Sequence, residues 1–276
     1  MAAIYRFKVG DFECIAIQDA SMNRAASQVF PSIAAEERER VLRGQGTDPE
    51  AMPWSINILY VNTGNHHILV DTSIDGNAMP GAGQLKNTLQ SIGIEPDSID
   101  HIIITHGHRD HIGGLMGEDG QPVYPNARIS MLANERDHWF EAAQKAENPD
   151  EAAKRNLLPL RDKIDVVTTE SEILPGVCLI PAPGHTLGHT AVLFQSQGEG
   201  LVHVVDAMHQ PVQIENPHWT PMFDVRPDLS VPTRKALMER AANEHTLLMA
   251  YHFAFPGVGR ITKTDTGFGW QPIQPS

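Results

Sequence analysis

Thr105-His106-Gly107-His108-Arg109-Asp110-His111-Ile112-Gly113-Gly114 places four metal-capable side chains within six residues. Just upstream, Ile102-Ile103-Ile104 reads as a short buried strand. Strand side chains alternate with period two, so an extended chain would point His106, His108 and Asp110 one way. His111 would then face a second position nearby. Imidazole nitrogens and a carboxylate at this density suit Zn²⁺ or another borderline divalent ion. Gly113-Gly114 lets the backbone turn sharply behind them. The competing reading is a solvated loop that merely contains His. Three His and one Asp behind an apolar strand, closed by Gly-Gly, weigh against it.

One loop supplies too few ligands, and the downstream sequence supplies more. Pro183 and Gly184 form a tight turn after the run Val177-Cys178-Leu179-Ile180 and would present His185 at a strand end. Asp206 follows the strand Leu201-Val202-His203-Val204-Val205, and His252 follows Leu247-Leu248-Met249-Ala250-Tyr251. The same arrangement thus recurs: an apolar strand, then a ligand-type residue at its end, where scaffolds commonly place chemistry. Five His and two Asp suffice for two metals. One division gives His106, His108 and His185 to the first metal and Asp110, His111 and His252 to the second, with Asp206 bridging.

This H-x-H-x-D-H loop, with His185, Asp206 and His252 in order, resembles the metallo-β-lactamase-fold hydrolase superfamily. The resemblance runs from about Phe12 to Trp270. Asn57-Ile58-Leu59-Tyr60-Val61 and Ile68-Leu69-Val70-Asp71-Thr72 resemble the family's early hairpin. The gap from His111 to His185, the ending His252-Phe253-Ala254-Phe255-Pro256-Gly257-Val258-Gly259, and His209 three residues after Asp206 look most like one branch. That branch holds acyl-homoserine lactone lactonases and methyl parathion hydrolase-like enzymes. Val205 departs from the family, which usually carries Gly before the bridging Asp. The expected effect is a perturbed strand end with the ligand retained.

The resemblance implies an α+β fold, a four-layer αββα sandwich with the metals at one edge between two sheets. Pattern alone gives only α/β or α+β. It also implies two divalent metal ions, zinc first, with manganese, cobalt or iron as alternatives, and a homodimer. The implied chemistry is a metal-bridging hydroxide attacking a small lactone or ester, with aryl phosphotriesters as a side activity and quorum quenching as a role. Asp110, Asp206 and His209 are the expected catalytic residues. His209 would touch the pocket or protonate the leaving group, or else be a surface His or one that supports a ligand from behind. Asp71 and Thr72 are placed to orient ligand His residues, or Asp71 only caps a turn. Trp54, Trp139 and Phe253 are expected at the substrate pocket, with Trp219 and Phe223 as further wall candidates. No Tyr matches the oxyanion Tyr of typical lactonases. Two other reactions stay open on the same fold. A glyoxalase II-type thioester hydrolase would want a shorter His111–His185 gap and a richer basic C-terminus than Arg260 and Lys263. A mononuclear iron sulfur dioxygenase would differ in metal count and iron content.

Composition bounds these readings. The chain has 276 residues and a formal net charge of −13, without a Lys/Arg run. That argues against a nucleic-acid partner and against an anionic membrane surface. Cys14 and Cys178 sit in apolar runs and read as small buried hydrophobes. No signal peptide or membrane-spanning run is evident, so the expected location is cytoplasmic.

One domain is expected over 1–276, with an irregular, charged insertion at about 27–53. Within it Ala34 to Leu42 is a candidate helix stopped by Gly44. Strands are expected from the N-terminus, over Phe12 to Asp19, on either side of the Gly64-Asn65 turn, and over Ile99 to Ile104. Further strands are expected at Arg128 to Leu132, Val166 to Thr169, Val177 to Ile180, Ala191 to Gln195 and Leu201 to Val205. The last core strand is expected at Leu247 to Tyr251. Helices are expected over Leu85 to Ile92, Glu135 to Glu147, Glu151 to Leu158 and Pro232 to Asn243.

Overall fold

The computed structural model describes residues 2–76 and 81–273. Met1, at the head of the expected N-terminal strand, and 274–276, at the end of the expected domain, lie outside the described residues. The first part of the chain builds one sheet. Its strands are β1 (Ala3–Val9), β2 (Phe12–Arg24), β3 (Met52–Asn62), β4 (His67–Val70), β5 (His101–Ile103), β6 (Arg128–Leu132) and β7 (Ile164–Val167), side by side in that order. The remainder builds a second sheet from β8 (Ser171–Leu174), β9 (Val177–Pro181), β10 (Thr190–Ser196), β11 (Glu199–Val205), β12 (Leu247–Ala250), β13 (Val258–Thr264) and β14 (Gly267–Pro272), also in chain order. The helices are α1 (Ala26–Val29), α2 (Ala35–Gly44), α3 (Leu85–Ser91), α4 (Arg109–Ile112), α5 (Ala133–Gln144), α6 (Glu151–Asn156), α7 (Val212–Glu215) and α8 (Pro227–Asn243).

Period-two alternation sorts the apolar residues into layers. Leu59, Val61, Ile68, Val70 and Ile103 point from the first sheet into a core shared with Val177, Leu179, Val192, Phe194 and Met249 of the second. Their neighbours Ile58, Tyr60, Leu69 and Ile102 point the opposite way, under Leu85 and Leu89 of α3, Trp139 of α5 and Ala153 of α6. On the far side, Leu193, Val202, Val204 and Leu248 pack under Leu237, Met238 and Ala241 of α8. The result is helix, sheet, sheet, helix, as the family resemblance implies. Each Val, Leu or Ile so buried contributes about 1.5–3 kcal/mol relative to exposure.

Strand direction places the site. β4, β5, β6 and β7 run parallel, as do β11 and β12. Within each parallel set, the C-terminal ends meet at one edge of the sheet. Asp71, the loop 104–111, Asp206 and His252 leave from those ends, and His185 follows the turn after β9.

Several expectations are corrected. The chain does not stay extended through the His-rich loop. It turns helical at Arg109, with His108 as the last extended residue (φ −65°, ψ 151°). Asp110 therefore does not share a strand face with His106 and His108. The segment expected as an irregular insertion carries α1 and α2, while Met52 and Pro53 already belong to β3. Gly44 is the last residue of α2, and the positive φ that follows the helix falls on Gly46 (φ 74°). The helix expected from Pro232 begins at Pro227, so Pro232 lies inside it. Tyr251 does not end the sheet, because β13 and β14 follow, and β8 is a further edge strand.

Candidate metal centre

The seven expected ligand residues come together. His106 Nε2 and His185 Nε2 each lie 3.0 Å from His108 Nδ1. Asp110 Oδ2 is 3.6 Å from His252 Nε2, and Asp110 Oδ1 is 3.9 Å from His111 Nε2. Asp206 Oδ2 stands between the two groups. It is 3.3 Å from His185 Nε2, 3.4 Å from His252 Nε2, 3.5 Å from His111 Nε2 and 3.8 Å from His106 Nε2. Donors about 2.0–2.1 Å from a tetrahedral zinc would stand roughly 3.3 Å apart, so the spacing fits a divalent cation.

Orphaned atoms make the same case independently. His111 Nε2, Asp206 Oδ1 and both ring nitrogens of His209 are buried with no hydrogen-bond partner. A buried polar atom left so costs about 1–3 kcal/mol. A cation in their midst would take the lone pairs of His111 Nε2 and Asp206 Oδ1. Among the described residues, the groups that suit one are His106-His108-His185, Asp110-His111-His252, His185-His209-Asp224, and Asp206 with His106 and His111 or with His209 and His252.

The electrostatics favour the lone-pair form of His106, His108 and Asp206, and the protonated form of His111 until a cation takes its place. Burial, aided by the neighbouring His111 and His108, holds His106 well below its ordinary pKa. Burial and His185 bring His108 down to about 3. Burial also lowers His111, but Asp206, Asp71 and Asp110 outweigh it and raise that imidazole well above its usual range. For Asp206 burial favours the neutral acid, yet His252, His111 and His209 together hold the carboxyl well below its usual range.

A set of partners fixes how each ring points. Asp71 Oδ2 accepts from His111 Nδ1 at 2.8 Å and from Thr105 Oγ1 at 2.8 Å. Thr72 Oγ1 donates to the His111 carbonyl. His252 Nδ1 donates to the Ser55 carbonyl at 2.8 Å. Asp224 Oδ1 lies 3.2 Å from His185 Nδ1, and the buried Arg234 guanidinium holds its other oxygen at 3.3 Å. His189 accepts from the Asp206 N–H at 3.2 Å, and its Nδ1 donates to the Ala182 carbonyl at 3.1 Å. Such partners select the tautomer and raise ligand basicity. Asp71 thus does more than cap a turn.

Sequence reading missed Glu135. It is 1% exposed and has no cationic partner among the described residues. One oxygen accepts from the Gly107 N–H at 3.2 Å and from Trp139 Nε1 at 2.6 Å. The other accepts from Thr186 Oγ1 at 2.8 Å and the Gly188 N–H at 2.9 Å. Gly107 separates His106 from His108, and Thr186 follows His185. One carboxylate therefore ties both loops of the first donor trio. A side chain at Gly107 would collide with Trp139, 2.4 Å from the added carbon.

Above the donors lies a cavity of about 740 Å³, lined by Arg24, Trp54, Phe223, His209 and His252 on one side and by Trp139, Arg109 and Asn156 on the other. Trp54 and Trp139 stand where expected, and so does Phe223. His209 reaches the site: its Nε2 is 3.3 Å from Asp206 Oδ2, and its ring stacks on Trp54 at 5.6 Å. Phe253 does not line this cavity. It is 1% exposed and packs edge-on against Trp270 in the core under the second sheet. The chain bends after β12, and there His252 turns to the donors and Phe253 into the core. Trp219 is also buried elsewhere, against Phe30. No Tyr is among the residues lining the cavity.

Comparison with known proteins agrees with this geometry. Residues 51–249 match the family model of the metallo-beta-lactamase superfamily. An N-acyl homoserine lactonase from a Bacillus species is 30% identical over 193 residues, spanning 68% of this chain and 70% of that protein. Among solved structures, AidC, a dizinc quorum-quenching lactonase in complex with the product N-hexanoyl-L-homoserine, superposes with a TM-score of 0.89 at 26% identity, covering 99% of this chain and 98% of AidC. The hydrolase AbOPH superposes with a TM-score of 0.89 at 24% identity over the same shares.

Proposed function

The chain belongs to the metallo-beta-lactamase superfamily, as a metal-dependent hydrolase of its lactonase branch, and from that premise we propose that it opens small lactones, N-acyl homoserine lactones among them, using two zinc ions. The observation that carries the proposal is the meeting of both donor groups at Asp206 Oδ2 beneath an aromatic-walled cavity. His106, His108 and His185 would hold one metal, Asp110, His111 and His252 the other, and Asp206 both. When bound, such ions supply Lewis acidity and water acidic enough to ionise near neutral pH.

The chain's own groups do the rest. Asp71, Asp224 and Ser55 orient His111, His185 and His252. Trp54, Phe223 and Trp139 exclude water and seat the apolar part of the substrate. Burial brings His209 down to about 4, so its imidazole is neutral at pH 7. Its Nε2, 3.3 Å from Asp206 Oδ2, would steady the leaving oxygen by a hydrogen bond, while the proton that oxygen takes up comes from solvent. The cavity lining has no Tyr for this task, and His209 takes its place. A homodimer is part of the same reading. No described helix is long and apolar enough to cross a membrane.

The test is metal content per chain, on protein purified without chelator, with a screen of γ-lactones, δ-lactones, aryl esters, a thioester and an aryl phosphotriester. Near two equivalents of zinc, manganese or cobalt with lactone turnover is the expected result. Asp206→Ala and His252→Ala should each lose metal and most activity. Full activity with one metal would sink the two-metal reading. One equivalent of iron without hydrolysis would favour the mononuclear dioxygenase.

A further inference from the structure

Arg24 closes β2, opposite Met52 of β3, while Met22 is opposite Trp54. Arg24 and Trp54 are therefore diagonal neighbours on one face of the sheet. The guanidinium carbon lies 4.9 Å from the Trp54 ring centre and 5.9 Å from that of Phe223. Two aromatic faces hold a planar cation well, through the ring quadrupoles. Trp54 in turn packs on His252 at 4.4 Å and His209 at 5.6 Å. Arg24 is thus one indole removed from the donor cluster and lines the same cavity.

Its hydrogen-bonding capacity is unspent. Arg24 Nε is buried and has no partner among the described residues. The chain is rich in acids, with a formal net charge of −13. Other arginines find carboxylates: Arg128 pairs with Asp165, Arg155 with Asp75, Arg234 with Asp224. A guanidinium held at the cavity wall with no acceptor for its Nε among the described residues has donor capacity left for something else. Its flanks are aromatic, so the ligand atoms beside the acceptor are apolar.

We infer that Arg24 is a specificity residue that donates to a carbonyl oxygen on the acyl substituent of the substrate, one ring's width from the reacting carbonyl, and so selects amide-bearing acyl lactones over plain alkyl lactones. This rests on the lactonase reading above. Trp54 and Phe223 take the acyl chain on either side of the contact. Arg24 touches no reacting atom, so its effect falls on binding rather than on the chemical step.

The experiment compares N-hexanoyl homoserine lactone with an α-alkyl-γ-butyrolactone of matched chain length, on zinc-loaded wild type, Arg24→Met and Arg24→Gln. A hydrogen bond from a charged donor corresponds to roughly 10–100-fold in affinity. Arg24→Met should raise KM for the amide substrate by about that factor, with kcat little changed and the alkyl lactone within about twofold of wild type. Arg24→Gln, which keeps an N–H donor, should recover part of the loss. Equal metal content and melting temperature confirm that each variant is folded. Turnover of both lactones with the preference intact in both variants overturns the Arg24 inference alone. An equal loss on both substrates overturns it too, because that marks a packing role. Turnover of neither lactone by wild type overturns the lactonase reading and this inference with it.

Discussion

At the scale of single residues, Glu135 carries the sharpest expectation. Its two oxygens take four donors from two loops and from Trp139. Glu135→Gln keeps the size but replaces one oxygen by an NH₂, which then faces two donors. Two buried N–H or O–H groups lose their acceptor, at about 1–3 kcal/mol each. Urea unfolding should show a loss of about 2–5 kcal/mol. Competitive chelation should show about 10–100-fold weaker binding of the metal proposed for His106, His108 and His185, because outer partners tune affinity by that much. The other metal should change little. Equal weakening of both would mean that Glu135 supports the fold and not that trio. The seven candidate donors could be picked out in the sequence because few residue types bind metals and all seven follow apolar strands. Glu135 was not legible, because its loop partners lie 28 to 53 positions away in the chain. Phe253 was misplaced for the opposite reason: adjacency to His252 in sequence says nothing about which way a side chain faces.

At the scale of elements, the end of β11 shows how a departure in sequence becomes strain. Val205 has φ 51° and sits where the pairing of β11 with β12 shifts register after His203. A β-branched residue in that region is a steric outlier, costing about 1–3 kcal/mol. The turn lifts Asp206 into the donor cluster, so the strain is sustained by the site. Val205→Gly removes it but also gives up a buried side chain worth about 1.5–3 kcal/mol and adds about 0.5–1 kcal/mol of backbone entropy. The terms nearly offset, and the net change should stay within about 2 kcal/mol. Val192→Gly, in β10 and equally buried without positive φ, should lose about 3 kcal/mol or more. Denaturant titration of both variants checks this, and matched losses would show that no strain is relieved at Val205. The sequence revealed the departure at Val205 and its consequence for the strand end. It did not reveal α4, because four residues from Arg109 to Ile112 are too short to show a helical period. The edge strands β8 and β14 escaped for a related reason: both are short and largely unburied and carry little hydrophobic signal.

At the scale of the whole molecule, the sandwich buries imidazoles that are not metal donors, and this ties stability to pH. The strand runs that define both sheets were visible in the sequence, but their stacking into four layers came only through family resemblance, since alternation within a strand does not say which sheet covers it. That stacking puts His203 at 0% exposure, its Nδ1 donating to the Met249 carbonyl, and His189 at 0% beside Asp206. Burial brings His203 down to about 4. Burial and His185 bring His189 down to about 3. In the unfolded chain both titrate near 6.5. Below that pH the unfolded state binds more protons than the folded one, so stability falls as pH falls, from about 6.5 to the folded values, by up to about 1.4 kcal/mol per pH unit for each group. His111, raised in the folded state, acts above this window: it adds stability as pH falls towards 6.5 and is level below. Asp206, lowered in the folded state, loses its contribution only below about 4, where the unfolded carboxyl protonates. Chelator-treated protein should therefore lose stability steadily between pH 6.5 and 4, and His203→Gln should make the slope shallower by about one proton. Urea midpoints across that range measure it directly. A flat profile, or an unchanged slope in His203→Gln, would mean that His203 takes up its proton without leaving the fold, and that the space between the sheets is wetter than its packing implies.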